Sequence, residues 1–202
     1  MTLPNCLIID LDGTLCDHSH RLKFIVDPWE EKKKLNILRP DEFKKWKPDY
    51  DSFHAALSED KCNEWCKELI ERFYQECYEH LGREIIFITG RPERYRKQTQ
   101  IWIDRKIIGE NQLFMRPDFL PKCDLCKSYQ DGPATFDSLI NCNACKNDFF
   151  TRKPDHRPAH EVKKEIYERE ILGKYEVLFV LEDSDRCCQM YKELGLTVLQ
   201  VK

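Results

Sequence analysis

A chain of 202 residues and 24.2 kDa is long enough for one well-packed core plus an insertion. Its formal charge of -3, from 33 Lys+Arg against 36 Asp+Glu, excludes a protein that coats duplex nucleic acid through bulk charge, although a local basic patch stays open. No basic segment runs into a long apolar stretch near the start, and no stretch approaches the roughly 18 apolar residues of a membrane span. We therefore expect a cytoplasmic protein with no membrane association, whose 11 cysteines are thiols or metal ligands rather than disulfides.

Residues 5–12 (NCLIIDLD) read as a buried strand that runs into two carboxylates, Asp10 and Asp12. Side chains alternate along a strand, so both should share a face, and their repulsion calls for positive charge nearby. An Asp-Gly turn without further role is the plain alternative. Residues 23–57 look irregular: Pro28, Pro40 and Pro48 break any long helix, and with Trp29, Phe43 and Trp46 they suggest a flap or lid. Over 62–81, Trp65, Cys66, Leu69, Ile70, Phe73 and Tyr74 fall at three- and four-residue intervals and predict an amphipathic helix. A second apolar strand (84–90, EIIFITG) stops at glycine, and a helix over 92–106 starts at Pro92. A third strand covers 112–116, a helix 159–172, a fourth strand 175–183, a helix 184–195 and a fifth strand 196–201.

Short apolar strands alternating with helices predict an α/β fold: a Rossmann-like, mostly parallel sheet with helices on both faces. Ligands of such sheets bind outside the carboxyl ends of the strands. Those ends carry Asp10 and Asp12, then Thr89-Gly90-Arg91, then Glu182-Asp183. Phosphoryl transfer needs an in-line nucleophile, a proton donor for the leaving oxygen and positive charge around the phosphoryl oxygens. Asp10 suits the nucleophile and Asp12 the acid/base. Mg²⁺ at Asp10 and Asp183 would relieve the repulsion between carboxylates. Thr89 offers a hydroxyl to a phosphate oxygen, and Lys163 a fixed positive charge.

In order along the chain, DLDGT, ITGR, a later lysine and LED resemble the motifs of the haloacid dehalogenase superfamily of phosphatases. The resemblance is above all to the phosphatase domain of bacteriophage polynucleotide kinase and its bacterial relatives. It covers roughly 5–22, 58–116 and 157–202. It implies catalytic roles for Asp10, Asp12, Thr89 and Lys163, the last chosen over Lys164 by the segment EVKKEI. It implies substrate contacts from Arg21, Gly90 and Arg91, with Arg94 and Arg96 beside them, and Mg²⁺ ligands among Asp10, Asp12, Glu182 and Asp183. The substrate it implies is a phosphorylated nucleic-acid end, with removal of 3′-phosphates. Two positions depart from the pattern. Ala159 stands where an acidic residue commonly precedes the motif lysine, with Asp155 the candidate to stand in, and Glu182 replaces an aspartate.

Cys123-x-x-Cys126 and Cys142-x-x-Cys145, separated by 15 residues, match four-thiolate Zn²⁺ spacing, and with every position filled such a site is structural. The organisation expected is a phosphatase core over 1–116 and 153–202, with a flap at 23–57 and a zinc-binding cap insertion at 117–152. The nearest rival is a phosphatase of free nucleotides or other small phosphate esters. A rival of another class is an inert zinc-containing module that binds nucleic acid or protein. Nothing in the sequence calls for an obligate protein partner, and no G-x-x-x-x-G-K-[ST] loop for a kinase occurs.

Overall fold

The computed structural model describes residues 3–27, 46–75, 83–119, 141–142, 147–148 and 154–202. In chain order the strands are β1 (Asn5–Ile9), β2 (Cys16–Asp17), β3 (Lys61–Cys62), β4 (Arg83–Pro92), β5 (Asn111–Arg116), β6 (Asn141–Cys142), β7 (Asn147–Asp148), β8 (Glu176–Glu182) and β9 (Val198–Gln200). The α-helices are α1 (Tyr50–Ala55), α2 (Glu64–Gln75), α3 (Arg96–Lys106), α4 (Ala159–Ile166) and α5 (Asp185–Glu193). Five strands pair in parallel in the order β5-β4-β1-β8-β9. The chain thus builds outward from β1 through β4 to β5, then crosses back to lay β8 and β9 on the other side. That reversal puts the topological switch point, where α/β sheets bind ligands, at the carboxyl end of β1.

The apolar runs are continuous because both faces of the sheet are covered. Leu7, Ile9 and Phe87 pack with Ile70 of α2 and Trp102 and Ile103 of α3. Cys6, Ile8 and Val180 pack on the other face with Val162 and Ile166 of α4 and Tyr191 of α5. A fully buried side chain such as Ile9 or Phe87 contributes roughly 1.5–3 kcal/mol. No helix among the described residues is long and apolar enough to cross a membrane.

Several boundaries differ from the sequence reading. Pro92 does not start a helix: it is extended (φ -64°, ψ 148°) and pairs with Arg116 across a register shift after Thr89. Proline's fixed φ suits a strand end as well as a first helical turn, and α3 begins only after a 3₁₀ turn at Glu93–Tyr95. The first strand stops at Ile9, and the chain turns back through Gly13 (φ +92°). Part of the supposedly irregular 23–57 segment is helical, since α1 is followed by a 3₁₀ turn at Ala56–Glu59. The expected helix 62–81 is observed as α2, with residues 61–62 in β3; its last turns lie outside the described residues.

The chain that leaves β5 and the chain that enters α4 meet: Phe119 and Pro154 form an antiparallel bridge, and Asp155 N–H donates to Asp118 O at 3.1 Å. Between them, β6 and β7 pair Asn141 with Asp148 and Cys142 with Asn147. Cys123, Cys126, Cys145 and the side chain of Cys142 lie outside the described residues.

Candidate active site

Asp10 follows β1 directly, and its N–H donates to Leu181 O at 3.0 Å, which ties it to β8. Lys163, one turn into α4, lies below with its Nζ 2.6 Å from both Asp10 Oδ1 and Glu182 Oε2. The Thr14 hydroxyl is 3.4 Å from Asp10 Oδ2 and from Asp183 Oδ1. Asp183 packs against the backbone of Gly13, where a Cβ would stand 2.2 Å from its Oδ2.

Oxygens of Asp10, Glu182 and Asp183 lie within 4.8 Å of one another. Three carboxylates against one ammonium leave negative charge in excess, and the Asp10 carboxyl is pushed well above its usual range. Burial is the main cause and Glu182 the next, with Lys163 opposing both. An all-oxygen donor set with surplus negative charge suits a hard divalent cation such as Mg²⁺. Lys163 is held well above its usual range by Asp10 and Glu182, against the effect of burial.

Asp12 does not share this environment. Burial works to raise its carboxyl, yet Arg91 and then Arg21 hold it well below the usual range. Arg91 Nη2 donates to Asp12 Oδ1 at 2.6 Å, Arg91 Nε to Oδ2 at 3.1 Å, and Arg21 Nη2 closes the clamp on Oδ1. Each aspartate of the motif therefore has its own cations, which resolves their repulsion. The Asp12 carboxylate, expected among the Mg²⁺ ligands, is bound by the arginines and is not part of the Asp10–Glu182–Asp183 group.

A cleft of about 780 Å³ opens over these residues, lined by Asp10, Asp12, Thr89, Gly90, Lys163 and Asp183 among others. Arg21 and Arg91, expected to face substrate, are fully buried and do not line it. Charge in a sequence has no direction; here both guanidiniums point into the protein, toward Asp12 and Asp60. Arg94 does line the cleft but pairs with Asp51 (2.9 Å) and Asp118 (3.2 Å). Arg96 turns away, held by Glu93 and by Leu113 O. Thr89 is buried, its hydroxyl accepting from Arg91 N–H at 3.2 Å. Asp155 engages Arg157 and not Lys163.

Sequence reasoning missed Asp60, Thr14 and Arg116. Asp60 is wholly buried and receives Arg21 Nε and Nη2, both at 2.7 Å, and Arg91 Nη2 at 2.8 Å. Only Thr14 carried a signal, as the threonine of DLDGT.

A parallel α/β sheet with Asp10, Lys163, Glu182 and Asp183 gathered at its switch point is the arrangement that the motif resemblance led us to expect. The family model described as "Polynucleotide kinase PNKP phosphatase domain" matches residues 122–202, which include Lys163, Glu182 and Asp183. A chain in "Structure of the Pnkp1/Rnl/Hen1 RNA repair complex" is similar at 23% identity and TM-score 0.59, over 98% of this chain and 42% of that one. A chain in "Structure of Pnkp1/Rnl/Hen1 complex" is similar at 23% identity and TM-score 0.60, over 100% of this chain and 47% of the other. The present chain spans less than half the length of these solved chains, and their likeness is one of fold. A search of curated proteins finds no match. The resemblance read from the motifs therefore stands: this chain is similar to the phosphatase domain of polynucleotide kinases. Both solved chains belong to multiprotein complexes, so the expectation of no obligate protein partner finds no support there.

Proposed function

We propose that the chain is a phosphomonoesterase that removes 3′-phosphates from nucleic-acid ends. Asp10 carries this reading: it is a strand-end carboxylate fixed by Lys163 at 2.6 Å, at the switch point of the sheet and open to the cleft. Asp10 attacks phosphorus and forms an aspartyl-phosphate as the sugar oxygen leaves; water then attacks phosphorus and restores the carboxylate. Lys163 holds the nucleophile in place and offsets charge on the phosphoryl oxygens, with the strand end at Thr89 and Gly90 beside it. Asp12 protonates the leaving oxygen and later takes a proton from the attacking water. The arginine clamp keeps Asp12 ionised in the free protein, so the proton that it gives to the leaving oxygen has to be taken up once substrate is bound. A Mg²⁺ ion held by Asp10, Glu182 and Asp183 would neutralise the phosphoryl oxygens.

The same proposal places a structural Zn²⁺ on Cys123, Cys126, Cys142 and Cys145 in an insertion over 117–152. The Phe119–Pro154 bridge, where outgoing and returning chains meet at the cleft, supports that boundary. A protein partner is compatible with this reading.

One observation favours hydrolysis of free nucleotides instead: Arg94 and Arg157, which face the cleft, are matched by carboxylates, so long-range attraction for a polyanion is weak. Phosphate release from 3′-phosphorylated oligonucleotides, 5′-phosphorylated oligonucleotides and free nucleotides, with Mg²⁺ present, decides. Faster turnover of the 3′-phosphorylated oligonucleotide is expected, and equal turnover of the free nucleotides hands the site to the second reading.

A further inference from the structure

Arg116 ends β5, two strand spacings or about 10 Å from β1 in the sheet. Its guanidinium is oriented by neutral acceptors: Nε donates to Gly90 O at 2.9 Å and Nη1 to Arg157 O at 2.6 Å. The nearest carboxylate, Asp155, is 3.8 Å away and already accepts from the Arg157 guanidinium and N–H. Among the described residues nothing meets Nη2. It lies beside Gly90 and Ala159, since a Cβ built on Gly90 would be 3.7 Å from both Arg116 Nη2 and the Ala159 Cβ. All three residues line the cleft. The other cations there are matched: Lys163 by Asp10 and Glu182, Arg94 by Asp51 and Asp118, Arg157 by Asp155 and Glu165. Burial lowers the Arg116 guanidinium from its usual value; Asp155 opposes this, and the neighbouring Arg157 adds to it.

We propose that Arg116 Nη2 is a subsite for a second phosphate of the substrate, the one joined through the same sugar on the 5′ side of the scissile 3′-phosphate. This rests on the nucleic-acid-end reading and names the contact by which the cleft tells a chain end from a lone nucleotide. The donor edge is preset by two carbonyls, so little rotamer freedom is lost when the anion arrives.

The test compares a nucleoside 3′,5′-bisphosphate with the matching 3′-monophosphate as the ratio of their kcat/KM values. A charge-assisted contact of this kind gives the wild type a ratio of about 10 or more. Arg116→Gln should bring the ratio toward one, and Arg116→Lys should keep part of it. Ala159→Asp, which leaves Arg116 in place but offers Nη2 a carboxylate, should also lower it, and it carries the test if the Arg116 variants fail to fold. A wild-type ratio of one, or a ratio unchanged by Arg116→Gln and Ala159→Asp, overturns the subsite. A wild type that hydrolyses an aryl phosphate but neither nucleotide overturns the 3′-end reading separately. The two nucleotides then serve as inhibitors of aryl phosphate hydrolysis: a Ki ratio that collapses in the variants supports the subsite, and an unchanged one overturns it.

Discussion

Asp12 and Asp60 bind the same two guanidinium nitrogens. Nη2 of Arg21 and Nη2 of Arg91 each donate to Oδ1 of Asp12 and to Oδ2 of Asp60. The result is a closed quartet of two acids and two bases in which only Asp12 reaches the cleft; its side chain is 22% exposed and that of Asp60 is 0%. The proposed acid/base is thus the open corner of a buried ionic cluster.

Removing the hidden acid, Asp60, should cost more stability than removing Asp12, the proposed acid/base. Asp60→Asn keeps the shape but leaves two buried guanidiniums to share Asp12, a loss of about 3–5 kcal/mol by the behaviour of broken buried pairs. Asp12→Asn leaves Asp60 in place and opens to water, so urea unfolding should show the smaller loss. Activity should run the other way for alkyl phosphates, which Asp12→Asn should nearly silence. Aryl phosphates, whose leaving groups need no proton, should be less affected. Equal stability of the two variants would contradict the cluster as described.

A second contrast sets Asp10 against Lys163. Asp10→Asn removes one of three crowded carboxylates while Lys163 keeps Glu182. The metal-free variant should be as stable as the parent or more so, and phosphate release should be abolished because an amide is a poor nucleophile. Lys163→Met instead leaves Asp10 and Glu182 buried without their cation, at a cost of about 3–5 kcal/mol before proton uptake relieves it. Thermal unfolding in chelator, alongside phosphate release in Mg²⁺, measures both halves.

The sheet was legible because a strand buried on both faces writes itself as an unbroken apolar run, and Leu7-Ile8-Ile9 and Ile85-Ile86-Phe87-Ile88 are such runs. The residues at the strand ends were legible for the same reason, since a run that stops at Asp10 or Thr89 marks where a sheet ends. Arg21 and Arg91 were visible as cations but not as buried ones. Their direction depends on Asp60, 39 residues from Arg21 and 31 from Arg91, in a segment with no periodic pattern of its own. Pro92 misled because a φ near -65° fits both a helix start and a strand end. The helix inside 23–57 was hidden by its brevity, for six residues at Tyr50–Ala55 are too few to establish a period.

His54 makes stability depend on pH. Burial is the main cause that depresses its imidazole from the usual 6.5 to about 4. The unfolded chain therefore binds a proton that the folded protein refuses between those values. Stability from this group is complete above pH 6.5 and is lost as pH falls toward 4, by about 3 kcal/mol at roughly 1.4 kcal/mol per pH unit. Urea unfolding of the parent and of His54→Gln at pH 7, 5.5 and 4.5 reads this as a slope that the variant lacks. Parallel curves would remove His54 as the source.

Gly13 is where a single methyl should disturb the carboxylate cluster. Its φ is +92°, and a Cβ would meet Asp183 Oδ2 at 2.2 Å, so Gly13→Ala must move either the turn or the carboxylate. If Asp183 holds Mg²⁺ as proposed, displacing its side chain in this way should weaken Mg²⁺ binding by about 10-fold or more, by the scale of outer-shell changes at metal sites. Calorimetric titration of Mg²⁺ into parent and variant gives the comparison. Gly90→Ala is the control, because its Cβ would find only ordinary contacts at 3.7 Å.

The cysteine quartet gives the last prediction. Two Cys-x-x-Cys pairs separated by 15 residues suit one tetrahedral Zn²⁺, and the second pair begins on β6, where Cys142 pairs with Asn147 of β7. A two-stranded ladder of two residues per strand is too short to be stable by itself, so a metal is the natural means of holding it. The purified protein should carry about one zinc per chain by elemental analysis. Cys123→Ser and Cys142→Ser should each lose it and raise protease sensitivity within 117–152. The five-stranded sheet, whose two apolar clusters are built from residues outside that segment, should keep its cooperative unfolding. Because Phe119 and Pro154 are joined at the edge of the cleft, loss of the metal should also change KM for a polynucleotide more than for an aryl phosphate. Zinc-free protein with full activity, or disulfides among these four cysteines by mass spectrometry, would remove the metal from the account.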